Sequence, residues 1–110
     1  MSRDAAAGCW IATAAVLVCA GAWADGGVPK IVQSGRAFHP NEITLPRGAT
    51  LDFSNEDEFI HQIYVDTQGF AYDSAEQPPG QTLHITFPDA GTFPIRCHIH
   101  PKMLLTVHVK

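Results

Sequence analysis

From residue 25 onward the apolar residues of this chain fall into short alternating runs, and no stretch carries the spacing of an amphipathic helix. Ile43 and Leu45, Leu51 and Phe53, Ile63 and Val65, Phe93 and Ile95 each put two apolar side chains on one face of an extended segment. Leu83, Ile85 and Phe87 do the same, as do Leu105, Val107 and Val109. Turn formers bound the runs at Pro46-Arg47-Gly48, Pro78-Pro79-Gly80 and Pro88-Asp89-Ala90-Gly91. A further strand is expected over about Pro29 to Phe38, whereas Asp66 to Gln81 shows no alternation and is expected to hold a loop or a short helix. The pattern amounts to about seven short strands, each with one apolar face. Such strands bury those faces by packing two sheets together, so an all-β two-sheet sandwich is expected.

The first 24 residues read differently. Arg3 stands near the start, an Ala-rich apolar stretch runs from about Ala5 to Ala22, and Ala22-Trp23-Ala24 offers small residues where a signal peptidase reads them. The polar sequence Asp25-Gly26-Gly27 follows. We therefore expect a cleaved signal peptide over 1–24 and one domain over 25–110, the alternative being an uncleaved N-terminal anchor. The apolar run is short for a membrane span, so the mature form is not expected to span a membrane. Val16-Leu17-Val18 lacks the small residue that precedes a lipidated cysteine, which argues against lipidation at Cys19. Export implies a periplasmic or secreted protein.

Cleavage would remove Cys9 and Cys19 and leave Cys97 alone, with no internal disulfide available. A lone cysteine in an exported chain is a free thiol or one committed to a metal or a partner. Of seven Lys/Arg and eleven Asp/Glu, Arg3 and Asp4 leave with the leader, so six and ten remain. That acidic balance argues against nucleic acid and favours a basic or mixed-charge protein partner.

The surroundings of Cys97 favour a metal. Cys97-His98-Ile99-His100-Pro101-Lys102-Met103 places a thiolate, an imidazole and a thioether three residues apart on one loop between two apolar runs. Soft sulfur with imidazole and a weak thioether donor is the ligand set of a blue-copper electron-transfer site, which needs one more histidine. Strand phase offers one. Cys97 shares its phase with Phe93 and Ile95, Met103 with Leu105 and Val107, and His61 with Ile63 and Val65, so all three are expected to point inward. Taken singly, Cys97 and Met103 are ordinary core residues and His61 a polar strand end; together they suit a metal. Zinc takes Cys and His well but rarely a thioether, so copper matches better. His98 is expected to face away from Cys97, His84 and His108 to lie on the surface, and His39 to sit near Pro40 with nothing requiring it at the site.

The segment from about Phe38 to Lys110 resembles the cupredoxin family. The resemblance rests on Phe38-x-Pro40-x-x-Ile43-x-Leu45, on Leu51-x-Phe53-x-Asn55-x-Asp57 leading to His61, on Pro88-x-x-Gly91-x-Phe93, and on a Cys-x2-His-x2-Met loop similar to that of amicyanins. It implies a Greek-key sandwich. It also implies one type 1 copper cycling between Cu(I) and Cu(II), with His61, Cys97 and His100 as strong ligands and Met103 as the weak axial one. The sequence departs from the family pattern at Gln62, where Asn is common and helps tie the ligand loops together. It departs again at Leu104-Leu105-Thr106, where Gly commonly follows the methionine, and at His98 directly after the cysteine.

The function this implies is one-electron shuttling between redox partners, such as a c-type cytochrome or a periplasmic dehydrogenase, by a monomer that is not an enzyme. The rival reading is a periplasmic copper chaperone or sequestering protein, although that class tends to use several Met or His in open sites. Donors to the Cys97 sulfur are expected from the backbone near Gln62 and from the 97–103 loop. An apolar collar for partner docking is expected around His100 from Pro101, Pro40 and Phe70 or Tyr72.

Overall fold

The structure, a computed structural model, describes residues 27–110; the expected leader over 1–24 lies outside the described residues. Nine strands occur among them and no helix: β1 (Lys30–Gln33), β2 (Phe38–His39), β3 (Glu42–Leu45), β4 (Thr50–Asn55), β5 (Ile63–Thr67), β6 (Phe70–Asp73), β7 (Thr82–Thr86), β8 (Gly91–Cys97) and β9 (Leu104–Val109). They form a four-stranded sheet in the order β2-β1-β4-β7 and a five-stranded sheet in the order β3-β9-β8-β5-β6. Both are mixed. β1 runs parallel to β4 and β3 parallel to β9, and the other pairs are antiparallel. The two-sheet sandwich is as expected, with more strands than the seven anticipated.

Local backbone chemistry accounts for the difference. The stretch expected to form one strand over Pro29 to Phe38 breaks at Gly35 and Arg36, whose φ values of 63° and 56° lie in the left-handed region. Ser34 N–H donates to Ala37 O at 3.1 Å, the chain reverses, and β2 folds back antiparallel on β1. Between Asp66 and Gln81 no helix forms. Gly69, at φ 91°, turns the chain so that β6 returns along β5, with Thr67 opposite Phe70. β6 is a four-residue edge strand whose inward side chains, Phe70 and Tyr72, are only partly buried, too short a run to mark a strand by pattern alone.

Alternating side chains of the two sheets fill the interior. Ile31, Leu51, Phe53 and Ile85 come from the first sheet, and Ile63, Ile95, Leu105 and Val107 from the second. Full burial of one such side chain contributes about 1.5–3 kcal/mol, so the alternation is a strong constraint on register. One end of the sandwich closes on an aromatic cluster in which Phe70, Phe87 and Phe93 lie 5.4–5.8 Å apart, centroid to centroid. Gly91 caps it: at φ 151° a Cβ there would stand 3.0 Å from the Phe93 ring. From Phe93, β8 runs about 13 Å to Cys97, and this opposite end of the sandwich carries the candidate site.

Candidate metal centre

β8 ends at Cys97, which is buried in phase with Phe93 and Ile95. Ile63 stands opposite Cys97 in the β5–β8 register, so His61, two residues before Ile63, is brought alongside the sulfur. The loop after Cys97 turns back at once: Met103 N–H donates to His100 O at 3.0 Å, and this turn swings the His100 ring towards the other two side chains.

The three side chains meet. Cys97 Sγ lies 3.7 Å from His61 Nδ1 and 3.9 Å from His100 Nδ1, and the two Nδ1 atoms are 3.1 Å apart. Bonds of about 2.0 Å to nitrogen and 2.3 Å to sulfur would let one ion reach all three. His61 and Cys97 are buried, whereas His100 is half-buried and opens to the surface. Met103 is buried at the end of the same loop, within the core cluster. One thiolate and two imidazoles suit a trigonal copper site, and a four-thiolate zinc or iron–sulfur set is absent among the described residues.

A polar framework holds these donors. His61 is paired with Gln77 through both backbone bonds, His61 N–H to Gln77 O at 3.1 Å and Gln77 N–H to His61 O at 2.7 Å. The Gln77 side chain is fully buried; its Nε2 donates to Phe53 O and Gln81 O, and its Oε1 accepts from Gln33 Nε2. Asn55 Nδ2 donates to Phe59 O and Gln77 O, and Asn55 Oδ1 accepts the Asp57 N–H. The loop between β4 and β5 is thereby fixed from inside, which is why its carboxylate can be aimed.

That carboxylate is Asp57. Its Oδ2 lies 3.1 Å from His61 Nε2 and also accepts the Arg36 N–H at 2.7 Å. An ionised carboxylate only accepts, so the pair places the His61 proton on Nε2 and leaves the Nδ1 lone pair facing Cys97 and His100. Burial pushes the Asp57 carboxyl up, but hydrogen bonds from Arg36, His61 and Glu58 and the His61 charge outweigh it, leaving it below its ordinary 3.8. Burial pushes the His61 imidazole down, and the charge of His100 adds to this; Asp57 opposes both, and the net position is below 6.5. Both groups therefore bind fewer protons when folded. The stability they contribute is complete above pH 6.5 and is lost as pH falls, first through His61 and then through Asp57. In the metal-free protein the urea midpoint should drop as pH falls from 6.5 to about 5; a flat profile over that range would contradict this protonation scheme.

The sulfur receives the Gln62 N–H at 3.4 Å, as anticipated, and His98 N–H donates to Gln62 O at 2.9 Å, joining the two ligand segments through backbone alone. The Gln62 side chain bonds instead to Ser74 O at 3.1 Å and Asp73 Oδ1 at 3.5 Å. His98 faces outward, stacked on Tyr64 at 3.8 Å and bonded to Asp73 at 3.2 Å. His84 and His108 lie on the surface, and His39 bonds to Ser34 O away from the cluster. The anticipated collar needs correction. Phe70 belongs to the aromatic cluster at the other end, and Tyr72, opposite the buried Val65, packs part-buried against the core. The surface cleft beside His100 is formed by Arg36, Ile99, Pro101 and Lys102.

Sequence reasoning took Asn55 and Asp57 only as family landmarks and missed Gln33 and Gln77. A carboxylate four residues before a ligand histidine was a usable signal for Asp57; the two glutamines gave none.

No family model matches the sequence, and a search of curated proteins finds no relative. Solved structures do share its shape. A reduced Cu(I) form of an amicyanin variant superposes with a TM-score of 0.72 at 22% identity, over 76% of this chain and 83% of the amicyanin. A purple cupredoxin from Nitrosopumilus maritimus gives 0.67 at 21% identity, over 74% of this chain and 99% of that one. A copper-containing nitrite reductase from Thermus scotoductus gives 0.69 at 29% identity, over 74% of this chain but 22% of the enzyme. Two mixed sheets in this order, closed at one end by aromatic side chains and at the other by the ligand loop, give this chain the cupredoxin fold.

Proposed function

We propose that the chain is a type 1 copper electron carrier working in the periplasm or outside the cell. His61, Cys97 and His100 would hold the metal strongly and Met103 would be its weak fourth donor. One observation carries this reading: a buried thiol and two imidazole Nδ1 atoms lie mutually 3.1–3.9 Å apart at the end of a rigid sandwich. Copper there would supply one-electron chemistry, because sulfur suits Cu(I) and nitrogen suits Cu(II).

The residues around the site do the rest. The Gln62 N–H donates to the Cys97 sulfur and would tune a metal held by it. Asp57 holds the His61 ring at Nε2 and Gln77 holds its backbone, so the imidazole is fixed in place before any metal binds. Ile63, Met103 and Leu105 are buried and keep water from the inner side of the site. His100 is the half-exposed donor, and its ring edge is the way out for an electron. Burial of His61 and Cys97 speaks for a resident metal over an exchangeable cargo. A small redox protein, such as a c-type cytochrome or a periplasmic dehydrogenase, would meet the chain at His100.

Copper-loaded protein should give a reversible one-electron wave by voltammetry and surrender Cu(I) to a chelator only slowly. Release within the mixing time would favour copper delivery over electron transfer.

A further inference from the structure

The ten carboxylates expected in the mature domain point towards a basic partner, yet the surface at the proposed exit is charged the other way. The cleft beside His100, about 490 Å³, is lined by Arg36, Ile99, His100, Pro101 and Lys102 and by no carboxylate. Ile99 is 43% exposed, and both cations are exposed. Among the described residues no carboxylate stands within ion-pair distance of the Arg36 guanidinium or of Lys102. Four of the acids are engaged elsewhere: Glu42 with His108, Asp52 with His84, Asp73 with His98 and Glu56 with Lys30. Glu58 is exposed on the loop next to Phe59 but does not line the cleft.

Arg36 is held in place. It sits at φ 56°, a conformation few residues other than glycine adopt, and its N–H is fixed by Asp57 at 2.7 Å. Its guanidinium lies 4.3 Å from the Phe59 ring centroid, and Phe59 in turn meets the His100 ring edge-on at 5.8 Å. The cation is thus carried on an aromatic support that touches the proposed exit ligand. Charges more than about 8–10 Å apart are screened at physiological salt, so at a docked interface this rim outweighs the total charge of the chain.

We infer that the His100 surface receives an anionic face of its redox partner, with Asp or Glu carboxylates meeting Arg36 and Lys102 around the apolar floor of Ile99 and Pro101. This rests on the copper reading above and names the partner's chemistry. The transfer would move one electron from the copper(I) protein to the oxidant, leaving the copper(II) protein and the one-electron-reduced oxidant, with no proton or bond exchanged.

Two small oxidants test it on the copper(I) protein by stopped flow: ferricyanide, an anion, and tris(phenanthroline)cobalt(III), a cation. Arg36→Gln with Lys102→Gln should slow ferricyanide at least about threefold at low salt and flatten its salt dependence. The cationic oxidant should react no more slowly than with the native protein. Lys102→Gln alone, which disturbs no aromatic packing, should shift both rates in the same directions by less. Equal slowing of the two oxidants, or none, overturns the inference. A binding measurement separates it from the copper reading. The redox-inert hexacyanochromate(III) anion should broaden the amide resonances of Arg36, Ile99, His100 and Lys102 in metal-free protein, and not in the double variant. Broadening elsewhere, or none, overturns the inference whether or not the protein takes up copper.

Discussion

Cys97→Ser should abolish the visible colour of the copper(II) protein and leave the sandwich folded. The side chain is the one cysteine among the described residues, and it lies within 3.9 Å of both candidate histidine donors. A hydroxyl of nearly the same size preserves packing between Phe93, Ile95 and the β5 register but cannot give a thiolate-to-copper transition. Copper affinity should fall by more than the roughly 10–100-fold that losing an outer hydrogen-bond partner of a ligand costs. Titration with Cu(II), followed by visible absorption and by circular dichroism of the fold, checks both halves. Retained colour in the serine variant would place the chromophore elsewhere.

Phe87→Ala should do the reverse, damaging the fold while sparing the site. Phe87 is fully buried and shares the aromatic cluster with Phe70 and Phe93. Truncating a buried phenylalanine costs about 3–5 kcal/mol, a large share of the 5–15 kcal/mol that stabilises a typical domain. Urea unfolding of the metal-free protein measures the loss, and Phe87→Leu, which keeps more of the volume, should cost clearly less. Because the cluster and Cys97 occupy opposite ends of β8, the copper-loaded variant should keep the native absorption maximum. A shifted maximum would mean that the two ends are coupled through the strand.

Much of the site was legible because burial and strand phase are local properties. Cys97 follows Phe93 and Ile95 by even steps, and His61 precedes Ile63 and Val65 by even steps, so their common inward direction could be read from the chain. His98, one residue past the end of β8, continues the opposite phase, and it does lie outside, against Tyr64 and Asp73. The elements that escaped depend on partners far away in sequence. β6 is visible chiefly through its pairing with β5, since four residues with only Phe70 and Tyr72 turned partly inward make too short a pattern. The buried Gln33–Gln77 bond links residues 44 positions apart, and polar side chains in a core leave no periodic trace. The aromatic collar failed for the same reason: Phe70 is apolar and near the ligand segments in sequence, but the hairpin at Gly69 directs it to the opposite end. Arg36 reached the His100 surface through a left-handed turn that no apolar pattern announces.

If His61, Cys97 and His100 bind one copper ion as a thiolate–imidazole site, the metal itself should report it. Adding one equivalent of Cu(II) to the purified domain and recording its visible spectrum tests this most directly. Such a site should give an intense thiolate-to-copper charge-transfer band that saturates at one ion per chain and bleaches with ascorbate. A protein that remains colourless with copper bound would contradict it.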